Sequence, residues 1–127
     1  KTMVELQQAT DGRSFIEKLL NNIVLKPYSK DKGNTHHEFL MNVAFESSEH
    51  NPEISTLISK VSLRFVEIFK LAIQRGQSER VISEKKDPDE LAYYFLSSIA
   101  GLRSMLKTNT DQRNIKSVVN ITLAALN

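Results

Sequence analysis

Three groups of side chains in this chain have types and spacings that could do chemistry. Glu46, Glu49 and His50 stand three and four residues apart, so one helical face would offer two carboxylates and an imidazole to a metal ion. Their helix is expected to end at about Ser48 or Glu49, and carboxylate metal sites in helical proteins draw ligands from several helices. The set therefore reads as a solvated helix end. His36 and His37 sit at a loop junction with no evident acidic or cysteine partner and read as surface histidines. Asp87, Asp89 and Glu90 cluster three carboxylates, but acids in the first turn of a helix serve its dipole. One amide also stands out: Asn42 lies amid Phe39, Leu40, Met41, Val43 and Phe45, and needs a partner if buried. A backbone carbonyl would satisfy it as well as a ligand. There is no Gly-rich phosphate loop, nucleophile elbow or HExxH motif. Cysteine is absent, which removes thiolate metal sites, cysteine nucleophiles and disulfides. Neither an enzyme nor a cofactor is expected.

The bulk numbers narrow the class further. With 127 residues, 40% of them hydrophobic, the chain makes one domain with a moderate core. A quarter of the residues are charged and 7% aromatic, values that argue against disorder. Net charge is +2 and no basic run exceeds Lys85-Lys86, so the cationic face needed for sequence-independent nucleic-acid binding is missing. No apolar run approaches the ~20 residues that span a bilayer, and no signal-peptide pattern opens the chain. Together with the lack of cysteine this suits a cytoplasmic protein. The first residue is Lys, inside a helix-like pattern, which suggests a piece of a longer protein or a mature form with its start removed.

Four glycines and three prolines punctuate stretches that all read at helical spacing, so the fold class is all-α. Residues 1–12 are expected to be the end of an upstream connecting helix and a linker, and residues 13–127 the domain proper. Helices are expected over 13–25, 36–49, from Asn51-Pro52-Glu53 to about Gln77, over 87–107, and from Asp111 nearly to the C-terminus.

The helix over 87–107 carries too much apolar surface for one neighbour. Leu91, Ala92, Phe95, Leu96, Ile99, Leu102 and Leu106 share one strip; Tyr94, Ser98, Gly101 and Met105 share an adjoining one. Together they span roughly 220°, against the stripe of about 100° that an ordinary surface helix needs. The last helix repeats the surplus, with Ile115, Val119, Leu123 and Leu126 on one half of its arc and Val118, Ile121 and Ala125 on the other. Two consecutive helices with two apolar faces each would bury one face at home and one against a twofold-related copy, forming a four-helix bundle across a homodimer. Gly101 would permit close backbone approach there. The alternative is that other helices of the chain, or an upstream part, cover the surplus.

From His37 onward the order of motifs resembles the C-terminal regulatory domain of TetR-family transcriptional repressors. FLMNVAFE (Phe39 to Glu46) looks like that family's short apolar helix. NPEI (Asn51 to Ile54) and RGQ (Arg75 to Gln77) bracket its long helix, DPDELA (Asp87 to Ala92) opens its penultimate helix, and Gly101-Leu102 stands where it has a Gly-Leu pair. His37 and Glu38 depart from its small residue and cysteine, and Arg80 stands about where it often has glycine. The resemblance implies that residues 13–127 form an effector-binding and dimerisation domain. A small hydrophobic or amphipathic molecule would control operator DNA binding by an N-terminal helix-turn-helix that this sequence does not contain. The implied cavity would be lined by Phe15, Leu19, Asn42, Phe45, Phe65, Phe69, Phe95 and Ile99, with Arg103 as an anion anchor. Residue by residue, the phenylalanines serve equally well as ordinary core. The implied dimer face comprises Tyr94, Ser98, Gly101, Met105, Val118, Ile121 and Ala125. A structural homodimerisation module with no ligand is the other function in view.

Overall fold

Side-chain caps fix where the helices start. In the computed structural model, which describes residues 2–25, 51–108 and 110–127, Asn51 Oδ1 accepts from the amides of Glu53 and Ile54. Asp87 Oδ1 accepts from Asp89 N, and Asp111 Oδ1 from Arg113 N, each at 2.9 Å. Asp11 Oδ1 accepts from Ser14 N at 2.7 Å. Each cap satisfies one, and Asn51 two, of the four amides that a helix start leaves without an internal partner, and Pro52 and Pro88 occupy first-turn positions where no amide is needed. The elements are α1 (Thr2–Gln8), α2 (Gly12–Leu25), α3 (Pro52–Ser78), α4 (Pro88–Leu106) and α5 (Gln112–Ala124). No strand occurs among the described residues, so the all-α expectation holds. The short helix expected over 36–49 lies outside the described residues. So do Asn42, Phe45 and the Glu46–Glu49–His50 group.

The chain divides into two compact units, one of Lys1–Pro27 with Val66–Asn127 and one of Tyr28–Phe65. Within the second, the described residues are the first part of α3. There Ile54, Ile58, Val61 and Phe65 are half-buried, while Leu57 and Leu63 are exposed.

In the first unit α2 packs against α1, α4 and α5, and α4 packs against α5. Its core is built from one stripe of each element. Phe15, Ile16, Leu20 and Val24 come from α2, and Phe69, Ala72 and Ile73 from α3. Leu91, Ala92, Phe95, Ile99 and Leu102 come from α4, and Ile115, Val119 and the following Leu126 from α5 and its end. Phe69 stacks on Phe95 with ring centroids 5.6 Å apart. The first apolar strip of α4 is thus its home face, although Leu96 and Leu106 are only half-buried. On α5 the home half is the one carrying Ile115 and Val119. Thr122 also lies on it, buried because its hydroxyl donates to Val118 O at 2.7 Å and needs no other partner.

Two glycines set how closely backbones approach. A Cβ on Gly12 would collide with Ala72 O and lie 2.6 Å from Gly76 N, so α2 crosses α3 on bare backbone. Gly76 is internal to α3, which runs on to Ser78, and the Ile82 side chain covers it. Beyond α3, Arg80 adopts φ 61°, the left-handed region that glycine enters without steric cost.

Candidate functional site

Among the described residues of the first unit, three places gather side chains beyond what packing demands. The first is a groove of about 470 Å³ between α4 and α5, walled by Tyr94, Ser98, Gly101, Leu102, Ser104, Met105, Val118, Ile121 and Thr122. Six of the seven residues expected on the second apolar strips line it. The seventh, Ala125, lies beyond it at the C-cap of α5. Ile121 is 70% exposed and Tyr94 41%, while Gly101 faces open space, with nothing within 4 Å of an added Cβ. The Tyr94 ring meets Phe95 edge-on at 5.6 Å, so its orientation is set from the core side. No charged side chain lines the groove, and the Thr122 hydroxyl is already bonded to its own helix. The wall is therefore apolar with hydroxyls at intervals.

The second place is a cleft of about 370 Å³ between α1 and α2. It is lined by Glu5, Gln8, Ala9, Thr10, Ser14, Phe15, Lys18, Leu19 and Asn22. Phe15 and Leu19, expected in an effector cavity, here floor a cleft whose rim is polar. The other described members of that set go elsewhere. Phe69, Phe95 and Ile99 are buried in the core. Phe65 belongs to the other compact unit, and Arg103 is half-buried in the last turn of α4, where a cation complements the helix dipole.

The third place is not a site that the sequence points to, although RGQ marks its position. Arg75, in the last turns of α3, donates from Nη1 to Leu6 O at 2.6 Å and from Nη2 to Ala9 O at 2.8 Å and Thr10 O at 3.3 Å. Its Nε meets Glu79 Oε2 at 3.2 Å, and the other oxygen of Glu79 accepts from Gly12 N at 2.8 Å. Asp11 lies between. Its carboxyl is held below the usual carboxylate value chiefly by the hydrogen bond from the Ser14 amide, with the Ser14 hydroxyl and the Arg75 charge acting in the same direction. Arg13 ties the other flank, donating to Val81 O and to Asn127 Oδ1. Gln77 Nε2 donates to Ser83 O and Lys86 O, which shapes the loop leading to α4. The one local signal for this junction is Asp11-Gly12, a cap residue two positions before the helix start expected at Arg13.

Among the described residues no group of three or more His, Cys, Asp or Glu could hold a metal ion, and no helix is long and apolar enough to cross a membrane. Comparison of the chain with family models, curated proteins and solved structures gives no match.

Proposed function

We propose that this chain is the effector-sensing and dimerisation domain of a TetR-like cytoplasmic transcriptional regulator, doing no chemistry of its own. The observation that carries the reading is the uncharged groove on α4 and α5, whose walls are the surplus strip Tyr94, Ser98, Gly101, Met105, Val118 and Ile121. An isologous contact favours an apolar patch free of charge at its centre, and no charged side chain lines this groove. Two copies meeting there would bring two α4–α5 pairs into a four-helix bundle. DNA recognition would belong to a helix-turn-helix attached upstream. A small hydrophobic or amphipathic effector would act by binding one arrangement of the helices better than another. The α1–α2 cleft, with Phe15 and Leu19 beneath a polar rim, is one place such a molecule would fit.

A second reading is a dimerisation module with no effector. The stacked and fully buried pair Phe69–Phe95 favours it, because these rings fill the core themselves. Light scattering of the eluting protein across micromolar concentrations tests what the two readings share: a mass of two chains is expected, and one chain at every concentration refutes both. A thermal-shift screen of hydrophobic and amphipathic compounds then separates them, since only the sensing domain gains stability from a ligand.

A further inference from the structure

The junction between α1 and α2 is held by an element distant in sequence. The last four carbonyls of a helix and the first four amides of the next have no partners within those helices. At this junction one ion pair on α3 serves both ends. The Arg75 guanidinium collects the carbonyls of Leu6, Ala9 and Thr10, and Glu79, four residues on and therefore on the same face, takes the Gly12 amide. The same turn of α3 holds the way into α4. Gln77 donates to Ser83 O and Lys86 O, and Ile82 sits over Gly76. One stretch of α3, residues 75–79, therefore grips α1 on one side and the start of α4 on the other.

We propose that Arg75 is a positioning residue that couples α1 to the α3–α4 loop, so that a shift of the loop reaches α1 through the Arg75 fork. The fork is planar and makes its bonds in a fixed geometry, so a rotation of the α3 end moves three carbonyls together. That the movement serves as output rests on the proposed function, in which α4 carries the dimer groove and α1 leads toward the DNA-reading part. The coupling itself rests on the hydrogen bonds.

The test uses the full chain, with amide hydrogen exchange followed by mass spectrometry and no effector or DNA. Arg75→Gln is expected to raise exchange over residues 5–12 about tenfold, in line with the loss of charge-assisted hydrogen bonds, and to leave α4 and α5 unchanged. Arg75→Lys, which keeps the charge and loses the fork, is expected to restore that protection only partly. The deciding comparison is Gln77→Ala, which removes the two hydrogen bonds from α3 to the loop before α4 and none of those made by Arg75. It is expected to raise α1 exchange when Arg75 is present and to add nothing in the Arg75→Gln background. Additive effects of the two substitutions overturn the coupling. So does an unchanged α1 in Arg75→Gln, or a rise spread evenly over all helices. If Arg75→Gln does not fold, Arg75→Lys takes its place in the same cycle, where non-additivity again supports the coupling and additivity again overturns it. A monomeric chain would sink the functional reading and leave this result standing; additivity would do the reverse.

Discussion

Replacing Gly101 by alanine sets two effects of opposite sign against each other. Within one chain a methyl at Gly101 meets no atom within 4 Å, so it adds no clash. It also removes the entropic handicap of glycine inside α4, worth about 0.5–1 kcal/mol. In a chain of this size that raises the melting temperature by roughly 2–4 °C. If a second copy packs into the groove, each methyl enters a filled space, where overpacking costs about 1–3 kcal/mol. Twofold symmetry places two such methyls in the interface. A total near 2 kcal/mol, at the low end, weakens the dimer roughly 30-fold. Sedimentation of wild type and Gly101→Ala over nanomolar to micromolar concentrations gives the dissociation constants. Melting in an Ile121→Lys background, where a charge in the groove prevents association, isolates the effect on one chain. A higher melting temperature in that background together with a weaker dimer is the expected result. An unchanged dissociation constant in both Gly101→Ala and the bulkier Gly101→Leu would refute the groove as interface.

Arg80→Gly should stabilise the chain by about 0.5–1 kcal/mol in denaturant melts, because φ 61° costs an L-residue more than it costs glycine; unchanged stability would show the turn to be unstrained. Asp11 should make stability fall at low pH. Its folded pKa lies below the ordinary value near 3.8, so its contribution is complete above that value and is lost as pH drops through the folded one. Asp11→Asn keeps an acceptor for the Ser14 amide but cannot titrate, and should flatten this part of the profile in melts between about pH 5 and 2. Phe95→Ala should cost about 3–5 kcal/mol by equilibrium unfolding, since the ring is fully buried and stacked on Phe69; a loss below about 1 kcal/mol would mean the site is loosely filled.

The elements are legible in the sequence wherever a cap announces them. Asn51-Pro52, Asp87-Pro88 and Asp111 each carry a side-chain acceptor two or three residues ahead of a free amide, a purely local signal. Asp11 carries it too, yet Gly12 reads as a breaker rather than a first-turn residue, so α2 begins one residue earlier than expected. The groove is legible as an excess, because two apolar strips on α4 cannot both face one core. Which half of α5 turns inward is not legible. Ile115 and Ile121 are equally apolar, and only the packing of α2 against α5 separates a buried residue from one 70% exposed. Arg75 is beyond reach for a further reason. Its partners are backbone carbonyls 65 to 69 positions away, and a carbonyl has no residue type to recognise.

The order in which contacts can form differs sharply between the two ends of the first unit. Only residues 107–111 separate α4 from α5, so that hairpin closes a short loop at little entropic cost. α2 reaches its partners α4 and α5 across more than sixty positions, and the Arg13–Asn127 bond spans 114. Local pairs should therefore organise first and distant ones later. In folding kinetics, trimming Leu102 or Ile115 should slow refolding, whereas trimming Ile16 or Leu20 should mainly speed unfolding. The pair of helices that carries the groove would then be assembled, with its apolar face bare, before α1 and α2 dock beside it. During synthesis and refolding that makes protein concentration as well as sequence a determinant of whether the chain folds or aggregates.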